Sequence, residues 1–277
     1  MNLKPLWNRI KPFVPKKAHP VLSALYHRIS WRMACRQVDR QDRTGIKQTG
    51  FARLPPARLR HRVHGFLELD SFLKIGKQCS QDIEAAAAKI GRDLASFRDI
   101  LDFGCGCGRT LLWFANHARS SNVHGTDIDA EAIAWCRKNL TFARFRVNGP
   151  LPPLGYPAEM FDLICAISVF THLAEERQFL WLNELKRLAK PNGILIATLH
   201  GRHCWQNLPP EQVAEIERAG FLFVPSDIWK GVFPSWYQTA YHARDYVLEK
   251  WAPYFEILHY IPRGLVDYQD LVILRKS

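Results

Sequence analysis

The sequence has no run of eighteen apolar residues, which argues against a membrane-spanning helix. Its N-terminal region lacks the continuous apolar stretch and small-residue cleavage site of a secretory signal. The seven cysteines are an odd number at irregular spacings and do not form the pattern of a disulfide framework. Together these absences predict a cytoplasmic protein with reduced thiols.

Acidic residues are scarce in the first 64 positions, where Asp39 and Asp42 stand against 15 lysines and arginines. Residues 65–277 hold 23 basic and 24 acidic residues, so the net charge of +12 comes from the N-terminal end. Such an asymmetry suggests contact with an anionic surface, either nucleic acid or acidic lipid.

Residues 1–64 are predicted to form a basic helical extension and a linker. Apolar residues at helical spacing predict a short helix before Pro12 and a second helix from Val21 to about Arg36. Residues 40–62 are polar and basic, which predicts a linker. Three roles stay open for the extension: packing on the body, peripheral contact of residues 1–40 with the inner face of the membrane, or nucleic-acid binding.

From residue 65 onward, short apolar runs alternate with helical patterns such as "RTLLWFANHA". This alternation predicts an α/β domain over residues 65–277, with a doubly wound, mostly parallel, Rossmann-like sheet. The last two strands, "FEILHYI" and "DLVILRK", are separated by a short connection and predict an antiparallel hairpin. Residues 201–241 interrupt the alternation and are rich in aromatic side chains, so a lid or substrate wall is expected there.

The stretch "ILDFGCGCGRT" combines glycines and cysteines at the end of a predicted strand, where α/β sheets bind ligands. Gly104, Gly106 and Gly108 allow the backbone to approach a ligand closely. Zinc needs about four ligands, and no second cysteine pair stands at a suitable spacing, so no metal is predicted. Cys105 and Cys107 fit small residues that fill a tight loop.

The carboxylates around this loop favour a cationic ligand over a dinucleotide. A dinucleotide site prefers G-x-G-x-x-G, and Arg109 stands where the third glycine would be. Asp102 would be unfavourable beside a pyrophosphate but favourable beside an ammonium and a sulfonium; alternatively, it bonds only to loop amides. Asp127 follows the loop by about 20 residues, a spacing at which an acid reaches a ribose. Asp129 fits the N-cap of the next helix better.

Five segments, in this order, resemble the motifs of class I S-adenosylmethionine-dependent methyltransferases. They are "ILDFGCGCGRTL", "VHGTDID", the position of Asn148 after the third strand, "MFDLICAISVFTHL" and "LKRLAKPNGILIATLHG". The ending "YIPRGLVDYQDLVILRK" resembles a bacterial subgroup often met near glycan and secondary-metabolite genes. The resemblance covers residues 66–277 and implies methyl transfer from S-adenosylmethionine to a small molecule or glycan, with oxygen as the expected target.

The resemblance also implies which residues bind the cofactor. Asp127 would hold the ribose hydroxyls, Ile128 would lie against the adenine, and Asn148 would approach the adenine amine. The complete predicted set is Asp102, Gly104, Cys105, Gly106, Gly108, Asp127, Ile128, Asn148 and Ser168.

Histidines in the loops after the fourth and fifth strands are candidates for catalysis. His200 is the preferred general base for a hydroxyl acceptor, and His172 is expected to orient the loop beneath the cofactor. Gln269 and Asp270 are weaker candidates for substrate contact, with hydrogen bonding inside the hairpin as the alternative.

Other functions remain to be compared with this one. The target-base motif [DNS]-P-P-[FYW] is missing after the fourth strand, and the body is nearly neutral, so a nucleic-acid substrate is disfavoured. A cofactor-binding protein without catalysis, or a membrane-docked partner subunit with the same fold, would carry the same motifs. A nicotinamide dehydrogenase is disfavoured by Arg109. The oligomeric state does not follow from the sequence.

Overall fold

The computed structural model describes residues 19–45, 50–115, 120–225 and 238–277. Of these residues, those up to Phe72 belong to one compact unit and those from Leu73 onward belong to a second. The helix predicted before Pro12 lies outside the described residues. Among the described helices, none combines the length and the apolar character needed to cross a membrane.

The first unit is built on two helices, α1 (His19–Gly45) and α2 (Ala57–His64). A carboxylate oxygen of Asp39 accepts a hydrogen bond from the first backbone N–H of α2, at Ala57 (2.6 Å). The ring of Trp31 on α1 meets the ring of His61 on α2 edge-on, with centroids 5.6 Å apart. These contacts hold α1 and α2 together.

Arg60 on α2 is a buried cation, with 1% of its surface exposed. Its guanidinium donates to the carbonyl oxygens of Pro55 (2.9 Å) and Leu67 (2.9 Å) and to the carboxylate of Asp42 (2.5 Å). Burial of this charge is tolerated because it is paired and hydrogen-bonded.

The predicted linker over residues 40–62 is wrong at its start and at its end, where the chain is helical. Helix α1 continues to Gly45, and α2 begins at Ala57. The basic composition of this segment suggested that it is solvated. Instead, Asp42 near its start pairs with the buried Arg60 near its end. The predicted helix from Val21 to about Arg36 is confirmed in place and is longer than expected.

The second unit contains the sheet and its helices. After α3 (Leu69–Lys89), its elements in chain order are β1 (Asp99–Phe103), β2 (Asn122–Asp127), α4 (Ala130–Asn139), β3 (Ala143–Val147), β4 (Phe161–Ala166), α5 (Glu175–Leu188), β5 (Ala189–Leu199), α6 (Arg202–Trp205), α7 (Pro210–Ala219), β6 (Phe221–Val224), β7 (Thr239–His242), α8 (Arg244–Trp251), β8 (Glu256–Leu265) and β9 (Gln269–Arg275).

The sheet has seven strands in the order β3-β2-β1-β4-β5-β9-β8. The first five are parallel, whereas β9 runs antiparallel to β5 and pairs with β8 in an antiparallel hairpin. The strand order reverses between β1 and β4, which is the point where open α/β sheets bind ligands. The predicted Rossmann-like fold with a C-terminal antiparallel hairpin is therefore confirmed.

Burial explains the central strands and the helix that covers them. Four of the five residues of β1 are buried, as expected for a parallel strand covered on both faces. Helix α5 turns Trp181, Leu185 and Leu188 toward the sheet at helical spacing. The Trp181 ring lies 4.6 Å from that of Phe103 on β1, so this helix is packed directly against the strand that precedes the glycine loop.

The helix predicted for "RTLLWFANHA" is not found. The described part of this segment holds only a 3₁₀ turn at Leu111–Trp113. Leu111, Leu112 and Phe114 are all buried, so apolar side chains leave the turn in several directions and do not form one helical face.

Candidate functional site

The glycine loop follows β1 at the carboxyl edge of the sheet. Gly104 has a φ of 80°, and a Cβ there would come within 2.3 Å of Val169 Cγ2. Its N–H and that of Cys105 both donate to the carbonyl oxygen of Thr126 at the end of β2 (2.8 and 3.1 Å). The loop is thus tied to the next strand by backbone hydrogen bonds and needs glycine at its first position.

Asp127 connects this loop with the end of β2. One carboxylate oxygen accepts the N–H of Gly106 (2.7 Å), and the other accepts the N–H of Asp129 (2.8 Å). Burial raises the pKa of Asp127, and the hydrogen bonds from these N–H groups act in the opposite direction. Asp129 itself caps α4, because its carboxylate accepts the N–H groups of Glu131 and Ala132, as predicted.

Asp102 is 4% exposed and lies at the end of β1. Its pKa is raised to about 7, chiefly by burial and also by the neighbouring Asp127, while Arg109 acts in the opposite direction. Within the described chain, no hydrogen bond reaches this carboxylate. The alternative that Asp102 is held by loop amides is therefore wrong, since Asp127 takes that role. A buried carboxylate of this kind favours a cationic partner.

The thiols near the loop point into the protein. A Cβ built on Gly125 would lie 2.9 Å from Cys105 Sγ, so the Cys105 side chain packs against β2 and leaves only its backbone to the ligand side. Burial raises the pKa of Cys105 well above the usual thiol range. No group of three histidine, cysteine or acidic side chains within the described ranges is arranged to hold a metal ion.

Asn148 and Ile128 stand beside Asp127 at the same edge. The Asn148 N–H donates to the Asp127 carbonyl (3.0 Å), and its side-chain oxygen accepts the Thr126 hydroxyl (2.9 Å). Its amide nitrogen donates to the carbonyl of Gly149 (2.7 Å). Ile128 lies between the end of β2 and the start of α4 and is partly exposed.

Ser168 follows β4 with a φ of 57°, a left-handed conformation. Its N–H donates to the hydroxyl of Thr198 (2.8 Å) on β5. The hydroxyls of Ser168 (3.0 Å) and Thr198 (2.8 Å) both donate to the side-chain oxygen of Gln269. The sequence reasoning missed Thr198, because its partners lie 30 and 71 residues away along the chain.

His172 and His200 lie close together at the ends of β4 and β5, with ring centroids 6.3 Å apart. The Nδ1 atom of His172 is 2.6 Å from the carbonyl oxygen of Gln238, and that of His200 is 3.2 Å from that of Ala240. Because a carbonyl only accepts hydrogen bonds, each Nδ1 carries the proton. Both pKa values are lowered to about 4, chiefly by burial, and for His200 the neighbouring His172 contributes in the same direction.

Two other polar side chains at this edge serve the packing. Asp270 accepts the hydroxyl of Tyr260 (2.6 Å) and the N–H of Arg263 (2.9 Å), which fits the alternative of hydrogen bonding inside the hairpin. His242 is fully buried and its Nε2 bonds to the Gln178 side-chain oxygen (2.9 Å). Gln178 lies in the first turn of α5, and no sequence pattern indicated this contact, because the two residues are 64 positions apart.

In the insertion after β5, strands β6 and β7 form a two-stranded antiparallel sheet. The Trp205 indole donates to the carbonyl of His242 (3.0 Å), and Phe221 stacks on Tyr246 (5.7 Å). Tyr241 instead faces His200, with ring centroids 5.5 Å apart. The aromatic residues between 226 and 237 lie outside the described residues.

The fold, the glycine loop and the paired strand-end acids define a methyltransferase-like Rossmann domain. Residues 101–197 match a family model described as "Methyltransferase domain". S-adenosylmethionine is the cofactor of this class. The magnesium protoporphyrin IX methyltransferase of Synechocystis PCC 6803 has a similar fold, with TM-score 0.51 at 18% identity over 79% of this chain and 93% of that chain.

Two curated relatives match shorter stretches. The tRNA N(3)-cytidine methyltransferase METTL2 of Gallus gallus is 27% identical over 39% of this chain and 32% of its own length. The fatty-acid O-methyltransferase of Mycolicibacterium smegmatis is 28% identical over 36% of each chain. This chain spans about a third of the length of the curated relatives it matches. These relatives are described for different acceptors, so the acceptor does not follow from them.

The residues present fit S-adenosylmethionine. Asp102 offers a buried carboxylate with no hydrogen bond from the described chain, which suits an ammonium or sulfonium charge. Asp127 offers carboxylate oxygens beside the loop amides, where a ribose hydroxyl could donate to them. The roles of Ile128, Asn148 and Ser168 toward the cofactor stay predictions.

Proposed function

We propose that this chain is an S-adenosylmethionine-dependent methyltransferase that acts on a hydroxyl group of a small molecule or glycan. The observation that carries the proposal is the neutral imidazole of His200 at the carboxyl edge of the sheet. Its Nδ1 proton is donated to Ala240, so its Nε2 carries the lone pair that can accept a proton. A hydroxyl acceptor is the class that gains from such a base.

The bound cofactor would supply an activated methyl group on a good leaving group. The chain's own task is then to align the acceptor, exclude water and receive one proton. His200 Nε2 would receive it, and His172 would hold the loop after β4 in place through its bond to Gln238. Tyr241, facing the His200 ring, would form a wall for the acceptor.

We expect the affinity for S-adenosylhomocysteine to rise with pH through about 7. The pKa of Asp102 is raised to about 7, so this carboxyl is largely protonated below that pH and carries no charge for the ligand's ammonium. Each pH unit below 7 should weaken binding up to about tenfold. Calorimetry from pH 5.5 to 8.5 measures this pH dependence of the affinity. The variant Asp102→Asn should bind S-adenosylhomocysteine weakly, with an affinity that does not change with pH. A pH-independent wild type would contradict this role for Asp102.

His200→Gln should lower kcat about a hundredfold or more with a hydroxyl acceptor. Affinity for S-adenosylhomocysteine should stay within about twofold, because His200 is placed on the acceptor side. His203→Gln is the matched control, a neighbouring histidine whose ring meets Tyr268. Because burial lowers the pKa of His200 to about 4, kcat should not fall between pH 8 and pH 5.5, while KM for the cofactor rises.

The acceptor class is tested by product formation from labelled S-adenosylmethionine with glycans, phenols, fatty acids and tRNA offered separately. Transfer to a glycan or small hydroxyl compound, lost in His200→Gln, supports the proposal. Transfer to tRNA, or to a fatty acid carboxylate with His200→Gln fully active, would overturn it. Binding of S-adenosylhomocysteine without turnover on any acceptor would favour a cofactor-binding protein without catalysis.

A further inference from the structure

Helix α1 carries an apolar row on its exposed surface. Val21, Leu25 and Ile29 stand at four-residue spacing, and their surfaces are 71%, 49% and 41% exposed. Residues four apart lie on the same face of a helix, so these side chains form one continuous stripe. Large aliphatic side chains grouped in this way on one face indicate an interaction surface.

A second row, of arginines, runs beside the first. Arg28, Arg32, Arg36 and Arg40 are also four residues apart, and all four are exposed. Arg28 follows Leu25 by three residues, and Arg32 follows Ile29 by three residues. Residues three apart are neighbours on a helix surface, so the two rows run side by side. None of these arginines pairs with an acid in the described part of the chain. We name these seven residues the α1 face.

The acids of this region offset only a small part of the charge of the α1 face. Asp39 and Asp42 are the only acids in the first 64 residues. Asp42 pairs with the buried Arg60, so its charge is neutralised there. Asp39 bonds to the neutral N–H of Ala57 and keeps its charge, which can offset one arginine of the row at most. The arginine row therefore keeps a net positive charge.

We propose that the α1 face docks on a bilayer surface that contains anionic lipids. Aliphatic side chains enter the boundary between headgroups and acyl chains, and arginines beside them meet lipid phosphates while their stems lie along the apolar layer. Charge complementarity favours this partner. A nucleic acid would leave the apolar row without a partner, and a second copy would bring two arginine rows of the same sign together.

The test is flotation of the full chain with vesicles of phosphatidylcholine, with or without phosphatidylglycerol. We expect binding only with phosphatidylglycerol, weakened by salt. Replacing Arg28, Arg32 and Arg36 by Gln should weaken binding about a hundredfold, from about fivefold for each arginine. Leu25→Gln with Ile29→Gln should weaken it at least about tenfold. Circular dichroism checks that α1 remains helical.

Matched controls come from the sheet unit. Arg98, Arg144 and Arg218 are exposed arginines, and their replacement by Gln removes the same charge. Leu180→Gln removes an aliphatic side chain that is 48% exposed. These controls should bind vesicles as the wild type does, within about twofold. No vesicle binding, equal loss in the controls, displacement of vesicles by duplex RNA, or dimer formation through α1 would each overturn the proposal.

Discussion

Asp127→Ala is expected to weaken binding of S-adenosylhomocysteine by about a hundredfold or more. The substitution would remove the carboxylate and with it the charge-assisted hydrogen bonds to the ribose, each worth about 1.5–3 kcal/mol. It would also release the N–H groups of Gly106 and Asp129, which it holds at 2.7 and 2.8 Å, so the glycine loop would lose a fixed anchor. Calorimetry with the purified full chain measures the change.

Asp129→Ala is the matched control for this prediction. It removes a carboxylate two residues away that caps α4 through Glu131 and Ala132. Loss of the cap should lower the free energy of unfolding by about 1 kcal/mol and leave the affinity within about twofold. Wild-type affinity in Asp127→Ala, in a protein with an unchanged melting temperature, would remove Asp127 from the cofactor site.

Arg60→Met is expected to destabilise the helical unit by about 3–5 kcal/mol. The substitution keeps an apolar stem but leaves Asp42, whose side chain is 14% exposed, without its cation. It also removes the donors to the carbonyl oxygens of Pro55 and Leu67. Hydrogen exchange of the α1 and α2 amides measures the loss.

Arg58→Met tests whether any arginine on α2 has this effect. Arg58 is exposed on the same helix, and its replacement should cost less than about 1 kcal/mol. The double variant Arg60→Met with Asp42→Asn should recover part of the loss, because no unpaired charge remains. Equal protection of α1 and α2 in Arg60→Met and wild type would show that the buried pair does not hold the helices together.

The parts of the fold that depend on local pattern were predictable. Short buried strands, the glycine loop and the cap at Asp129 are encoded within a few residues, and the order of the segments follows from their alternation. The antiparallel hairpin was predictable because its two strands are joined by a short connection. Asp127 was located by its spacing from the glycine loop together with the resemblance of "VHGTDID" to a family motif.

The parts that depend on distant partners were not predictable. Helix α2 was taken for linker because Arg60 and its acid are 18 residues apart, and a basic composition does not reveal a buried pair. The protonated nitrogen of His172 is set by a carbonyl 66 residues away. The 3₁₀ turn after the glycine loop was missed because tertiary burial of Leu111, Leu112 and Phe114 overrides their helical propensity.

The main-chain bonds to the two histidines have a consequence for which positions can vary. Gln238, just before β7, and Ala240 on β7 fix the imidazole tautomers through carbonyl oxygens, which any amino acid provides. Substituting a partly exposed side chain such as Tyr241 therefore leaves unchanged which ring nitrogen holds the proton, whereas the buried His242 is held by Gln178. Under the proposed function, Tyr241 is then a position at which acceptor preference can change while the base keeps its orientation.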